Sequence, residues 1–163
     1  MAPRPFRLGR SLTGFGIFAT RPIKKRIRLA EYKGPILTQE EADRAERRGN
    51  RYLYEVSKNR TIDGTPHANI ARYFNHSCNP NAESIIWRGR VFIKSLRDIK
   101  PGEEIVYDYG TDYLKNVIGR SNCKCSRCRR RRAKKAREAR ALKKRRDARL
   151  APGKKAKRRT TAR

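Results

Sequence analysis

A mainly β domain of small, irregular sheets is the fold class that the first 128 residues predict. Three observations carry it: the apolar runs are short, turn residues separate them at frequent intervals, and a single segment has the start and stop signals of a helix. A chain of 163 residues accommodates one such domain with an appendage.

Taken in order, Gly14-Phe15-Gly16 leads into the apolar Ile17-Phe18-Ala19, and Ile27–Tyr32 and Ile36–Leu37 follow as further β segments. Thr38 as N-cap with Glu41 forms a capping box, Ala42 and Ala45 favour helix, and Gly49 supplies the stop. Tyr52–Val56 and Thr61–Asp63 read as a strand pair, and Ala82–Trp87 with Val91–Leu96 as a hairpin turning near Arg88-Gly89-Arg90. Ile105–Tyr109 is expected as a last short strand, and His67, beside Pro66, as loop. No internal repeat is evident.

The composition changes abruptly after Cys128. Residues 129–163 hold 19 of the 44 Lys and Arg but only Glu138 and Asp147 of the acids, a net +17 out of the formal +29. Leu142 and Leu150 are the tail's only apolar residues larger than Ala, so it cannot build a core. Its Ala, Lys, Arg and Leu content favours helix up to Leu150, and Pro152-Gly153 would end one, but like charges repel unless a polyanion is near. We expect the tail to be disordered or weakly helical when free. No apolar run approaches a membrane span, and Met1-Ala2-Pro3-Arg4-Pro5-Phe6 lacks the apolar stretch of a secretory signal. An intracellular setting is therefore expected: cytoplasm or nucleoid in a bacterium, nucleus in a eukaryote. There the four cysteines remain thiols or bind metal.

Function concentrates in two stretches, Arg72-Tyr73-Phe74-Asn75-His76-Ser77-Cys78-Asn79-Pro80-Asn81 and Gly102-Glu103-Glu104-Ile105-Val106-Tyr107-Asp108-Tyr109-Gly110. Polar groups packed between apolar stretches are costly unless satisfied, so this cluster of Asn, His, Ser, Cys and paired tyrosines points to a site rather than a core. Together the stretches resemble the signature of the SET-domain protein-lysine methyltransferases, and the similarity runs from about Leu8 to Cys128. The resemblance implies a β-clip fold of several small sheets with few short helices and a threaded, pseudoknot-like C-terminal segment. Such threading is exceptional, and periodicity could not have suggested it.

The resemblance also assigns roles. Gly14-Phe15-Gly16 matches the glycine loop that packs against S-adenosylmethionine: its glycines let backbone approach the cofactor, and Phe15 offers an aromatic face. Glu31-Tyr32-Lys33-Gly34 resembles the segment whose tyrosine lines the lysine channel, and Arg51-Tyr52-Leu53 one whose tyrosine touches the cofactor. Outside that context Tyr32 and Tyr52 would be ordinary strand aromatics. Arg72, Asn75 and His76 fall where the family contacts the cofactor's methionine end and adenine, with no general-base role for His76. Tyr109 is the catalytic candidate, its hydroxyl orienting amine and methyl group. In-line methyl transfer requires alignment and a neutral amine, which a dry channel beside a sulfonium favours. Tyr107 matches a position where tyrosine restricts and phenylalanine admits further methylation, so mono- or dimethylation is expected.

Cys123, Cys125 and Cys128 join Cys78 as the four candidate ligands of one structural zinc, as in family members with a cysteine-rich post-SET segment. Here two residues separate the last two cysteines where four are common. The expected organisation is an N-terminal extension at 1–7, a SET domain at 8–119, a zinc segment at 120–128 and the basic tail at 129–163.

The leading expectation is an S-adenosylmethionine-dependent protein-lysine N-methyltransferase acting on a histone-like, ribosomal or other basic protein. The alternative is a nucleic-acid-associated binding protein that keeps the fold without significant catalysis. Nucleic acid is an expected partner of the tail in either case, because phosphate neutralisation needs no specific motif.

Overall fold

The computed structural model describes residues 3–150, apart from the Leu150 side chain. These residues divide into two units at Arg129. The first is mainly small sheets of short strands with few short helices, as expected.

Ten strands make three small sheets. The largest has the order β1 (Phe6–Ser11), β2 (Gly14–Ala19), β10 (Glu104–Tyr107) and β7 (Asn75–His76). The second orders β3 (Arg28–Tyr32), β9 (Arg90–Ser95) and β8 (Ala82–Trp87), and the third β4 (Ile36–Leu37), β6 (Arg60–Asp63) and β5 (Leu53–Ser57). Every pairing is antiparallel except that of β10 with β7. Thus the last of the described strands inserts between the second and the seventh, both distant from it in sequence.

Helix α1 (Gln39–Arg47) starts at the expected capping box: Thr38 Oγ1 accepts from the Glu41 N–H, and the Glu41 carboxylate accepts from the Thr38 N–H at 2.8 Å. The β8–β9 hairpin turns on Arg88 (φ 51°) and Gly89 (φ 69°) between the paired Trp87 and Arg90. Positive φ at both central residues matches the twist of the flanking strands. Ile17, Phe74, Val91, Ile93 and Ile105 are fully buried between the sheets, each worth about 1.5–3 kcal/mol relative to exposure.

Four features differ from the sequence reading. β1 was not expected; it begins at Phe6, whose ring packs edge-on to Phe74, so the boundary placed after residue 7 cuts through a strand. β3 starts at Arg28 rather than Ile27, whose N–H is taken by the Ser95 hydroxyl at 2.9 Å, and a bulge lies between Arg28 and Ala30. The last strand stops at Tyr107 rather than Tyr109, because the Tyr109 N–H is taken by His76 Nδ1 at 3.2 Å and the Gly110 N–H by Asp108 Oδ1 at 3.0 Å. Beyond it, α2 (Thr111–Tyr113) continues into a π-helical turn over Leu114–Ile118. Finally, α3 runs from Ser126 to Leu150, starting inside the cysteine segment and continuing through the basic residues. Met1, Ala2 and the Pro152-Gly153 stop lie outside the described residues.

Candidate active site

Tyr107 and Tyr109 reach the site because β10 is clamped from both sides. On one side β10 pairs with β2, and on the other with β7. Beside β7, Asn81 is 3% exposed and uses both ends of its side chain: Oδ1 accepts from the Val106 N–H at 2.8 Å, and Nδ2 donates to the Glu104 carbonyl at 2.9 Å. A buried amide is stable only when so satisfied. The clamp fixes the residues that lead to Tyr109.

A cavity of about 810 Å³ gathers the three candidate tyrosines. The Tyr109 hydroxyl donates to the Phe74 carbonyl at 2.7 Å and the Tyr32 hydroxyl to the Tyr52 carbonyl at 2.8 Å. Gly64 makes room for Tyr32, since a Cβ there would lie 2.2 Å from its hydroxyl. Tyr107 stacks at a tilt on Tyr109 with ring centroids 4.7 Å apart, and its hydroxyl makes no hydrogen bond within the described residues. Burial pushes all three hydroxyls up from the ordinary tyrosine range, with neighbouring tyrosines adding to the effect. They are neutral at physiological pH, able to donate and accept hydrogen bonds but not to serve as bases.

Gly14, Phe15, Tyr52, Arg72 and Asn75 line the same cavity. Gly14 has φ +111° with open space where a Cβ would stand. Gly16 does not line it. A Cβ at Gly16 would meet the Glu104 carboxylate at 2.5 Å, so a side chain there would push aside the group that accepts from Asn75. Asn75 Nδ2 donates to the Phe15 carbonyl at 2.9 Å and to Glu104 Oε1 at 2.7 Å, joining the glycine loop to β10. The Arg72 guanidinium lies 4.0 Å from the centroid of the Tyr52 ring and donates through Nη1 to the Thr65 carbonyl, while its buried Nε has no hydrogen-bond partner. An orphaned buried donor on a cavity wall suits an anionic or carbonyl oxygen of a ligand.

His76 faces a second cavity of about 640 Å³, which Asn75 and Tyr109 also border. Its ring is pinned at both nitrogens: Nδ1 accepts from the Tyr109 N–H at 3.2 Å, and Nε2 lies 3.3 Å from Cys78 Sγ. Burial lowers its pKa, outweighing the opposing pull of Asp108, so the neutral Nε2–H tautomer fits both contacts. His67, in its loop, meets the Tyr73 hydroxyl at 2.9 Å and lies outside this arrangement.

Cys78, Cys123, Cys125 and Cys128 bring their sulfurs within 4.8 Å of one another, the one group of this kind among the described residues. Sγ of Cys78 is 3.6 Å from that of Cys128 and 3.9 Å from that of Cys123. A tetrahedron of thiolates about 2.3 Å from a zinc ion has edges of about 3.8 Å, so the cluster has the right size for one ion. The shortened spacing between the last two cysteines is accommodated because Cys128 lies on the first turn of α3 and its N–H points to Cys125 Sγ at 3.5 Å. Burial raises the Cys125 thiol, but the N–H groups of Cys128 and Cys78 hold it down to about 6. That favours at Cys125 the thiolate a metal requires, whereas burial pushes the Cys78 and Cys123 thiols up.

Sequence reasoning missed Asn81 and Tyr113. Tyr113 packs edge-on to Tyr109 at 5.2 Å and donates to the Arg51 carbonyl at 2.9 Å. The available signal was its spacing from Tyr109, since residues four apart meet on a helical turn. Asn81 stands at the end of the first signature stretch, and nothing local distinguishes a turn asparagine from one that clamps a distant strand.

Comparison with known proteins bears on this geometry directly. The SET domain family model matches residues 14–110, which contain the glycine loop, Asn75 and Tyr109. The chain is 33% identical over 133 residues to an H3 lysine-4 specific histone-lysine N-methyltransferase of Debaryomyces hansenii, covering 75% of this chain and 12% of that protein. It is 38% identical over 122 residues to the histone-lysine N-methyltransferase NSD3 of Mus musculus, covering 69% of this chain and 8% of that one. It therefore spans only a small part of these relatives' lengths. Among solved structures, a humanized mutant of the Chaetomium thermophilum Polycomb Repressive Complex 2 bound to the inhibitor GSK126 superposes with a TM-score of 0.60 at 28% identity, over 72% of this chain and 16% of that one. Agreement of sequence over residues 14–110, with relatives above 30% identity across 69–75% of the chain, extends beyond a shared fold: the chain belongs to the SET domain family.

Proposed function

We propose that this chain is an S-adenosylmethionine-dependent protein-lysine N-methyltransferase that adds one or two methyl groups to a lysine of a histone or another basic protein. The observation that carries the proposal is the neutral, anchored Tyr109 hydroxyl at a ring that borders both cavities. S-adenosylmethionine, when bound, supplies an electrophilic methyl group on a sulfonium.

Gly14, Phe15, Tyr52, Arg72, Asn75 and His76 are the residues that would hold this donor. The orphaned Arg72 Nε is the group suited to its carboxylate, and the Asn75 side-chain oxygen remains to accept from its ammonium. Tyr109, Tyr107 and Tyr32 orient the amine and exclude water. None of the three acts as base, so the lysine must lose its proton on entering a poorly hydrated site, where burial disfavours the ammonium. Alignment of amine and methyl then provides much of the acceleration. Glu55 and Asp108 on the wall of the larger cavity offer anionic groups to a basic peptide. A zinc ion is proposed for the four cysteines, where it would tie the segment carrying Cys123, Cys125 and Cys128 to Cys78 at the end of β7.

Incubation with methyl-labelled S-adenosylmethionine, core histones and a proteome extract, followed by mass spectrometry, tests the proposal. Labelled lysine that disappears with Tyr109→Phe is expected. A folded wild-type chain that binds the labelled donor without transferring it would favour the non-catalytic alternative.

A further inference from the structure

Helix α3 has 25 residues, of which 14 are Lys or Arg and two are acidic. Every one of those cations except Arg132 is exposed, and Leu142, at 70% exposure, is no part of an apolar stripe. At 3.6 residues per turn the cations distribute so evenly that no sector wider than about 40° lacks one. Each kind of anionic partner would leave a different distribution. An anionic membrane selects cations on one face and large apolar residues on the other, and a peptide-binding groove on a protein selects an apolar face. Neither is present. Cations on every side suit surroundings that are anionic on more than one side.

We infer that α3 is a binding element for double-stranded DNA that lies within the major groove, with phosphates flanking it on both sides. An α-helix of about 10–12 Å diameter fits a groove about 12 Å wide, as continuous basic helices do. The deep, narrow major groove of an RNA duplex does not admit one. The helix spans about 37 Å, or about 11 base pairs. In isolation its like charges three and four residues apart oppose helix formation, with Lys134–Glu138 the one oppositely charged contact at such spacing among its described residues. Phosphates remove that opposition, so binding and helix formation reinforce each other. The readout is sequence-independent, since Arg and Lys distributed in this way meet phosphates rather than a fixed set of base edges.

The test compares two quadruple variants of the full chain on opposite sides of the helix. One is Arg130→Gln, Arg137→Gln, Arg140→Gln and Lys144→Gln; the other is Lys135→Gln, Lys143→Gln, Arg146→Gln and Arg149→Gln. Fluorescence anisotropy with a labelled DNA duplex of about 20 base pairs, longer than the helix, gives affinity as a function of salt. Each variant should bind at least tenfold more weakly, with the slope of log K against log salt reduced by about 3 to 4. The two losses should agree within threefold, and circular dichroism of the wild-type chain should show a gain in helix on adding DNA. If only one set weakens binding, the helix contacts a one-sided surface and the groove assignment is wrong. Tighter binding to an RNA duplex, to single-stranded DNA of equal charge, to phosphatidylserine vesicles or to a polyglutamate peptide would overturn the choice of partner.

Discussion

The tyrosines around Tyr109 and the thiols around Cys78 both gather side chains from distant parts of the chain, but different forces hold them. Tyr32 and Tyr109 each donate to a backbone carbonyl, and Tyr107 is buried against Tyr109 at the end of a strand paired on both edges. Their arrangement follows from the fold itself. The cysteines come from the end of β7 and from a segment 45 to 50 residues further on, and their sulfurs have mainly one another and backbone N–H groups as partners. Four converging thiols resist ionising together, because each thiolate would repel the next, unless a cation joins them. One site is organised by the polypeptide, the other by what it binds.

Removing the metal should therefore have the largest effect. Wild-type protein is expected to contain one zinc per chain by elemental analysis, and Cys128→Ser or a strong chelator should lower the melting temperature by roughly 10 °C or more, since metal binding at such sites is folding free energy. Metal-free protein with an unchanged melting temperature would erase the contrast between the two clusters.

Tyr109→Phe should act in the opposite sense: about 10²- to 10³-fold lower turnover, with zinc content unchanged and about 1 kcal/mol or less of stability lost with one hydrogen bond. Burial holds these hydroxyls protonated above the ordinary tyrosine pKa of about 10. The sign follows from linkage: with folded values raised, their contribution to stability is intact below about pH 10 and is lost as pH rises towards the higher folded values. Ultraviolet titration should show these tyrosines ionising last.

His76 is the side chain that touches both regions, accepting from the Tyr109 N–H and approaching Cys78 Sγ. As a positioning residue it should couple them. His76→Leu is expected to weaken zinc affinity by about 10- to 100-fold, as loss of a partner to a metal ligand does, and to lower turnover in parallel. Lower turnover with unchanged zinc affinity in a competition titration would leave the two sites independent.

The same division explains what the sequence disclosed. The capping box of α1 and the Arg88-Gly89 hairpin are local, so they were legible residue by residue. The signature stretches pointed to a site because their polar residues would be costly to bury without a role, and the family resemblance singled out Asn75, Tyr107, Tyr109 and Cys78 within them. What escaped depends on contacts between remote segments: Asn81 serves β10 across 25 residues, and Gly16 leaves room for the Glu104 carboxylate. β1 escaped because Gly9 weakens it and Arg10 stands where alternation after Phe6 and Leu8 would put an apolar residue. The end of β10 was overestimated because Ile105, Tyr107 and Tyr109 alternate as a strand would, while the His76 contact that takes the Tyr109 N–H lies 33 residues away. Even distribution of cations on α3 leaves no apolar stripe, which is the signal a periodicity search uses.

The smallest expected effect on rate belongs to Tyr107, and it bears on how rigid the tyrosine region is. The Tyr109 and Tyr32 hydroxyls are committed to carbonyls, whereas that of Tyr107 faces the cavity without a partner among the described residues. It is thus the hydroxyl able to hold a water or the amine itself. A second or third methyl transfer requires the lysine nitrogen to rotate its lone pair toward the donor, and a water held at Tyr107 obstructs that rotation. Tyr107→Phe removes the hydrogen bond while keeping the ring that packs on Tyr109. Products should shift from mono- and dimethyl-lysine toward trimethyl-lysine at a similar overall rate, read by mass spectrometry over a time course. Ready trimethylation by the wild-type chain would show that this hydroxyl does not limit the reaction. A large loss of rate in Tyr107→Phe would instead show that it helps to position the amine, extending the fixed part of the site from two hydroxyls to three.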